Sequence, residues 1–440
     1  MGILGGGELR MTIFKLKENQ TTAGREIVAG VVTFMAMAYI IFVNPKILAA
    51  AMGNELLPAL VLATCLGAGL LSILMGLASN YPLALASGMG LNAFLAYGVV
   101  LGMNVPWPTA MGIVFIEGAI IAVLVLTNVR KQVMNAIPLD LKRAIGVGIG
   151  LLITLVGLEN AKLIVPSPTT LVTFGKIGPE NLIAMAGVVL SAWLMAKKIK
   201  GAFLLGIIFC TVAAMLAGLV SLPTRWVAGI RPEYFKTIFA LDIAGALRLG
   251  LLTTIFAFLI SDFFDTMGTV VAVGEQGGFM DRDGKVPRLK NILLIDSLGA
   301  VGGGLLGCSS VTTYVESAAG VAEGGRTGLT SVVTGSLFLL AVFFTPFVAI
   351  VPGYATAPAL ILVGFLLISV VRSIDWDDIT TSLPVFLTIT MIPFTFSIAK
   401  GIGYGIISFV LLKLLTGKWK EVHPLLALVA VLFVVDFCLS

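Results

Sequence analysis

Two aspartates, Asp262 and Asp265, stand three residues apart in Ser261-Asp-Phe-Phe-Asp-Thr-Met-Gly268, within an apolar run of about Leu251 to Val273. On a helix that spacing puts them on neighbouring faces. The run holds no lysine or arginine to neutralise them. Carboxylates close together in a low-dielectric site favour one shared or bound proton. The chemistry on offer is a proton site, a hydrogen-bonding site for a substrate, or both. A third acid, Glu316, follows Ser309-Ser-Val-Thr-Thr-Tyr314, and Asn92 ends the stretch Ala86-Ser-Gly-Met-Gly-Leu-Asn92. Helix N-termini facing one another at two such breaks would add N–H donors and positive dipole ends to these acceptors. A flat heterocycle with mixed donor and acceptor edges suits that inventory.

An ionisable side chain at the bilayer centre costs roughly 2.5–3.5 kcal/mol, so each one needs a reason. For Glu117 an interhelical hydrogen bond and a site role weigh equally. Asn92 reads as helix-to-helix glue or as a polar contact of the site, and the second is preferred. Glu323, nearer a basic loop, is set aside. Catalytic arrangements find no footing in this sequence. The single histidine, His423, sits at the edge of an apolar run, which leaves Ser-His-Asp and Cys-His chemistry without a base. No cysteine or histidine cluster has metal-ligand spacing, and no phosphate-cradling motif precedes a basic residue. The expectation is a protein that is not an enzyme and uses no cofactor or metal.

The elements that must position these residues are apolar. Charged residues make up 12% of 440, against roughly 25% in soluble domains. The apolar fraction is 58%, more than a soluble core can use, which implies a polytopic membrane protein. The runs do not alternate apolar with polar residues as the strands of an outer-membrane barrel would. The net charge of +5 comes from basic residues in short loops, a topology signal rather than a nucleic-acid footprint. Cys65, Cys210, Cys308 and Cys438 lie in or beside apolar runs, which favours small-residue packing over a disulfide framework. Glu8, Arg10, Lys15 and Lys17 precede any apolar run, unlike a signal peptide.

In order, apolar runs cover about Ile27–Val43 (ending at Asn44-Pro45), Leu56–Leu77, Tyr81–Val100, Trp107–Leu126, Ala144–Gly157, Leu182–Ala196 and Phe203–Val220. A polar midpoint segment, Ser221 to Ala246, is expected to carry a surface-lying helix joining two halves. The second half offers Leu251–Val273, Ile292–Leu306, the stretch Gly302 to Arg326, Leu329–Ile350, Ala357–Val371, Leu383–Ala399 and Ile402–Leu415, with Pro424–Leu439 left over. Glycine is unfavourable inside a helix by about 1 kcal/mol relative to alanine, so Gly302 to Arg326 reads as a broken segment lining a covered cavity. With the N-terminus inside, every second loop is basic, as at Arg130/Lys131/Lys142/Arg143, Lys197/Lys198/Lys200, Arg282/Lys285/Arg288/Lys290, Arg326, Arg372 and Lys418/Lys420. The midpoint segment, with Arg225, Arg231 and Lys236, is the exception. Fourteen crossings fit this count. Broken runs hold the third position of each half, and Ala196-Lys-Lys-Ile-Lys-Gly201 echoes Ala399-Lys-Gly-Ile-Gly403. Seven spans per half require the second to be inverted, the architecture of secondary transporters.

These motifs resemble a known family. Ser261 to Thr269 and Ser309 to Thr330 are similar to the eighth and tenth spans of the nucleobase–cation symporter 2 family. More narrowly they resemble its AzgA-like branch of adenine/guanine/hypoxanthine permeases, as do Ala23 to Pro45 and Ala86 to Phe94. The resemblance covers nearly the full length. It implies an all-α membrane fold of fourteen spans in two inverted seven-span repeats, with spans 3 and 10 broken. Spans 1–4 and 8–11 would form a core domain, and spans 5–7 and 12–14 a gate domain. Carried over by position, Asp265 matches the eighth-span acid that hydrogen-bonds the base, Glu316 the tenth-span acid, Asp262 a second aspartate of the purine branch, and Asn92 a third-span contact. Gly88, Thr313 and Ser317 complete the candidate substrate-binding set. Asp262, Asp265 and Glu316 are the candidates for proton coupling. One departure stands out: in the xanthine and uracil branches an asparagine follows the glutamate, whereas Ser317 does so here, and Arg326 is displaced by about one position.

The expected organisation is a cytoplasmic N-terminus (1–23), a first repeat (24–220), a connecting segment (221–246), a second repeat (247–416) and a C-terminal apolar segment (417–440). The expected activity is import of purine nucleobases by proton symport with alternating access, in the plasma membrane, with a homodimer left open and no nucleic acid as partner. Two other readings were weighed: an anion exchanger or channel of the same fold, which the acidic pocket opposes, and an intramembrane aspartyl protease. The protease would place its aspartates on two helices rather than within one turn.

Overall fold

The computed structural model describes residues 14–127, 137–167, 169–221, 229, 231–280 and 286–439. The loop bases Arg130, Lys131, Arg225, Arg282 and Lys285, and the acid and base at Glu8 and Arg10, lie outside the described residues.

The first apolar run forms α1 (Ala23–Met37) and α2 (Ile40–Met52), a longer pair than Ile27–Val43, because Asn44-Pro45 does not end it. Asn44 is fully buried and its amide donates to Thr64 Oγ1 at 2.9 Å and to the Cys308 carbonyl at 3.2 Å. Proline inside a membrane helix is tolerated where neighbours satisfy the freed backbone groups. Next comes α3 (Leu57–Ser79), then β1 (Leu85–Ser87) and α4 (Met89–Ala93), which continues as a π-helix over Phe94–Gly102. α5 (Trp107–Leu126) and α6 (Leu139–Asn160) follow. Between α6 and α7 (Pro179–Ala196) the chain makes a small hairpin of β2 (Ile164–Ser167) and β3 (Leu171–Phe174), which the apolar-run pattern does not announce. α8 (Ala202–Leu216) closes this half.

The midpoint segment differs from expectation. Its described residues hold only single turns, a 3-10 turn at Pro232–Phe235 and α9 (Ile243–Ala246), and no long surface helix. The second half runs through α10 (Leu252–Gly277), α11 (Leu289–Leu306), β4 (Val311–Thr313), α12 (Ser317–Ala322), α13 (Gly328–Ala341), α14 (Thr345–Ile350), α15 (Gly353–Ile368), α16 (Ile379–Thr395), α17 (Ile398–Leu415) and α18 (Pro424–Leu439). The leftover run is α18, which packs on α17 and brings Phe433 against Phe256. Among the described residues, nine helical segments are long and apolar enough to cross a membrane, and four shorter apolar helices accompany them. Large apolar side chains such as Val189, Phe365 and Phe394 are exposed, as lipid-facing residues are.

The chain breaks where β1 and β4 meet. They pair antiparallel, with Leu85 opposite Thr313 and Ser87 opposite Val311. Backbone that leaves the helix at membrane depth must find partners within the protein, and this two-strand pair supplies them. The glycines of Gly302–Gly304 do not begin the break; they end α11. Their use is close approach: a Cβ at Gly303 would overlap the Ser309 carbonyl oxygen, so only glycine lets the returning chain lie on the helix. The break begins at Gly307, whose φ of +81° caps α11 in the left-handed region that favours glycine. Ser309, at φ +68°, holds the same region without being glycine.

Packing sorts the long helices into two sets. α1, α2, α3, α5, α10, α11 and α13 pack on one another and around the strand pair. α6, α7, α8, α15, α16 and α17 make the other set. A salt bridge between Lys200, ahead of α8, and Glu323, after α12, ties one set to the other; Glu323 thus has a structural partner.

Candidate functional site

α10 carries the aspartate pair along the border of the two sets, packing on α5 and α4 to one side and on α6 and α17 to the other. Phe258, one turn before Asp262, stacks on Phe94 with centroids 4.5 Å apart and planes at 24°. That contact between two fully buried rings fixes α10 against the helix that follows β1. The helical spacing then gives the two acids different surroundings. Asp262 is fully buried, and its Oδ2 accepts from the Ser310 hydroxyl at 3.1 Å. Asp265 is exposed, and the charged side chains acting on it are Asp296 and Glu316.

The tenth-span break delivers Glu316 as the residue immediately before α12. It is half-buried, and its Oε1 accepts from the Tyr39 hydroxyl at 2.7 Å. Tyr39 in turn meets Phe203 of α8 edge-on at 5.2 Å, so this acid also lies where the two sets meet. Asp265 and Glu316 therefore offer accepting oxygens in one neighbourhood, with few donors of their own.

The other expected residues divide. Gly88 and Asn92 sit at the start of α4: the Gly88 amide donates to the Ser310 carbonyl at 2.9 Å, and Asn92 N to the Gly88 carbonyl at 2.8 Å. The Asn92 side chain is fully buried, and neither its oxygen nor its nitrogen has a partner among the described residues. Buried amides are almost always satisfied, so an unpaired one beside the break is consistent with a ligand contact. Thr313 gives its amide to Asp296 at 2.9 Å, while its hydroxyl has no partner among the described residues. The Ser317 hydroxyl accepts from the Ala84 amide at 3.0 Å, which ties α12 to the chain entering β1.

Asp296, Tyr39 and Ser310 are site neighbours that the sequence reading passed over. Asp296 is 3% exposed and joins three residues: Thr266 Oγ1 at 2.6 Å, Thr312 Oγ1 at 3.0 Å and the Thr313 amide. It clamps α10 and β4 to α11. Its signal was present, an acid inside the Ile292–Leu306 run, and the desolvation rule that singled out Asp265 applies to it equally. Tyr314 adds a further tie, donating to the Ser87 carbonyl at 2.6 Å. Away from all this, an apolar groove of about 360 Å³ lies between α5, α10 and α18, lined by residues such as Ile116, Ile120, Phe256, Val429 and Phe433. With almost no polar atom on its walls, it has nothing to orient a heterocycle.

Comparison with known proteins places the chain in a family. The family model Xan_ur_permease, described as a permease family, matches residues 24–403. Adenine permease AdeP of Escherichia coli (strain K12) is 42% identical over 423 residues, covering 96% of this chain and 94% of the relative. Guanine/hypoxanthine permease PbuG of Bacillus subtilis (strain 168) is 43% identical over 437 residues, covering 97% and 99%. Among solved structures, the transmembrane domain of the cyanobacterial bicarbonate transporter BicA is similar in fold, with a TM-score of 0.62 at 17% identity over 87% of this chain and 97% of that one. The chain belongs to the nucleobase–cation symporter 2 family of permeases, in the branch of adenine and guanine/hypoxanthine permeases.

Proposed function

We propose that this protein is a secondary carrier that imports purine nucleobases, adenine, guanine or hypoxanthine, by proton symport with alternating access. The observation that carries the reading is the pair of acids Asp265 and Glu316 at the border of the two helix sets, one exposed and one held by Tyr39. A purine presents ring N–H and amino donors on one side and ring nitrogens or a carbonyl on others. Two carboxylates, the unpaired amide of Asn92 and the Thr313 hydroxyl provide counterparts for those edges, and charge-assisted hydrogen bonds are the stronger kind. AdeP and PbuG are named for adenine and for guanine and hypoxanthine, which supports the same substrate class.

The first helix set together with the strand pair would be the moving core, and α6–α8 with α15–α17 the gate, within fourteen spans arranged as two inverted repeats. Of the three candidate acids, Asp265 and Glu316 would hold the base and Asp262 would take part in carrying the coupled proton, and the carrier would sit in the plasma membrane with its N-terminus inside. The Lys200–Glu323 salt bridge would be a tie between core and gate that has to open during the cycle. An anion exchanger is disfavoured because the charged groups acting on Asp265 are both acids. The test is uptake of radiolabelled hypoxanthine with adenine, guanine, xanthine and uracil as competitors, across external pH and with a protonophore. Competition by adenine or guanine, rising uptake at acid pH and collapse with protonophore are expected. Uptake indifferent to purines would end the substrate reading, and indifference to protonophore would end proton coupling.

A further inference from the structure

Glu117 of α5 is fully buried, and neither of its carboxyl oxygens receives a hydrogen bond from a donor among the described residues. A buried carboxylate stripped of donors pays its full desolvation cost. What faces it instead is another acid, Asp262 of α10, the first of the charged side chains that act on it. Two carboxyl groups facing one another without other donors can join only as O–H···O, with a proton on one of them. The free oxygen of Asp262, Oδ1, also lacks a donor.

Among the described residues, no counter-charge acts on Glu117. The charged groups acting on Glu117 are Asp262 of α10 and Asp296 of α11. Lys290, the base on α11, reaches the Leu126 carbonyl at the far end of α5. α9 brings only its cap, Asp242, which Thr109 and the Gly245 amide occupy, and the π-helix brings Tyr97. Two like charges in a low-dielectric site repel strongly, which disfavours ionising both. The pair therefore keeps one proton and can take up a second.

We propose that Glu117 and Asp262 form the proton-binding site of the carrier, apart from the base-binding acids Asp265 and Glu316. The proposal rests on the reading of this chain as a proton-coupled purine carrier and assigns the coupled proton to a location. Its connection to substrate is direct. Asp262 holds the Ser310 hydroxyl, and the Ser310 carbonyl holds the Gly88 amide at the head of α4. Loading a proton onto the pair changes the acceptor that anchors the two breaks from which Asn92 and Glu316 project. One proton is taken up from the outside with the base and released inside, and no covalent bond changes.

The test is Glu117→Gln in cells and in proteoliposomes. The expected result is loss of protonophore-sensitive accumulation and of the rise in hypoxanthine uptake at acid external pH, with hypoxanthine counterflow, which needs no net proton movement, retained. Glu117→Asp keeps a carboxyl one methylene shorter and is expected to restore coupling with a displaced pH profile; it also serves if the glutamine variant fails to reach the membrane. A wild-type pH profile in either variant overturns the proposal. So does loss of counterflow in parallel with accumulation in both variants, the signature of a merely structural residue, and so does rescue by sodium in place of protons. If the wild-type protein is itself insensitive to protonophore, proton coupling fails and takes this assignment with it; if only the variants behave as wild type, the carrier reading stands and Glu117 alone is excluded.

Discussion

Two kinds of acid sit within the apolar elements of this molecule, and their hydrogen bonds tell them apart. Asp296 accepts from Thr266, Thr312 and the Thr313 amide. Glu26 of α1, fully buried, accepts from the Arg326 amide at 2.8 Å, the Thr327 amide at 3.3 Å and the Thr330 hydroxyl at 2.6 Å. Both are saturated, and each stitches a helix to the chain around a break or a helix start. Among the described residues Glu316 accepts from one other side chain, Tyr39, and Glu117 has no donor, while the charged neighbours of Asp265 are acids. A saturated acid has its reason for being in the membrane within the fold. An unsaturated one is left with bonds to make, to a base or to a proton.

That contrast can be broken by mutation. The largest effect is expected at the unsaturated acids: Asp265→Asn and Glu316→Gln should each lower hypoxanthine uptake by on the order of a hundredfold or more, the loss of about 3 kcal/mol that follows when a donor on the base is left unpaired in a closed site. Surface expression and thermal unfolding in detergent should stay as in the wild type. Asp296→Ala and Glu26→Ala should do the reverse. Each removes the acceptor of three donors, of which only the Thr266 and Thr312 hydroxyls can turn to one another; at about 1–3 kcal/mol for each buried group left unpaired, folded yield and unfolding temperature should drop. Unchanged unfolding in both would show that saturation does not mark a structural role. The smallest effect is expected from Tyr39→Phe, which removes the one donor on Glu316; about 1.5 kcal/mol, near tenfold in apparent affinity for hypoxanthine, should be lost with expression intact.

How much of this the sequence disclosed follows from which physical signals are local. Asp262, Asp265 and Glu316 were legible because an acid inside an apolar run violates the cost of burial wherever it occurs. The two breaks were legible from glycine and hydroxyl clusters at Ala86–Asn92 and Ser309–Tyr314. Their pairing as β1 and β4 was only implied, and its fasteners are long-range: Ser317 and Ala84 are 233 residues apart, and Tyr39 and Glu316 are 277 apart. The same distance in sequence hid the saturation of Asp296 and the contact of Glu117 with Asp262. The start of the break was misjudged by several residues, because glycine in Gly302–Gly304 marks close approach of the returning chain rather than the end of the helix. The bond of the Ser317 hydroxyl to the Ala84 amide was hidden for a similar reason, its partner lying far off in the sequence.

The most direct measurement is the binding of hypoxanthine, adenine and guanine to the purified protein, followed calorimetrically for the wild type, Asp265→Asn and Glu26→Gln. Purine binding by the wild type, lost in Asp265→Asn at unchanged unfolding temperature, is expected, with Glu26→Gln binding as far as it remains folded. Binding undiminished in Asp265→Asn would contradict the assignment of the unsaturated acids to the base.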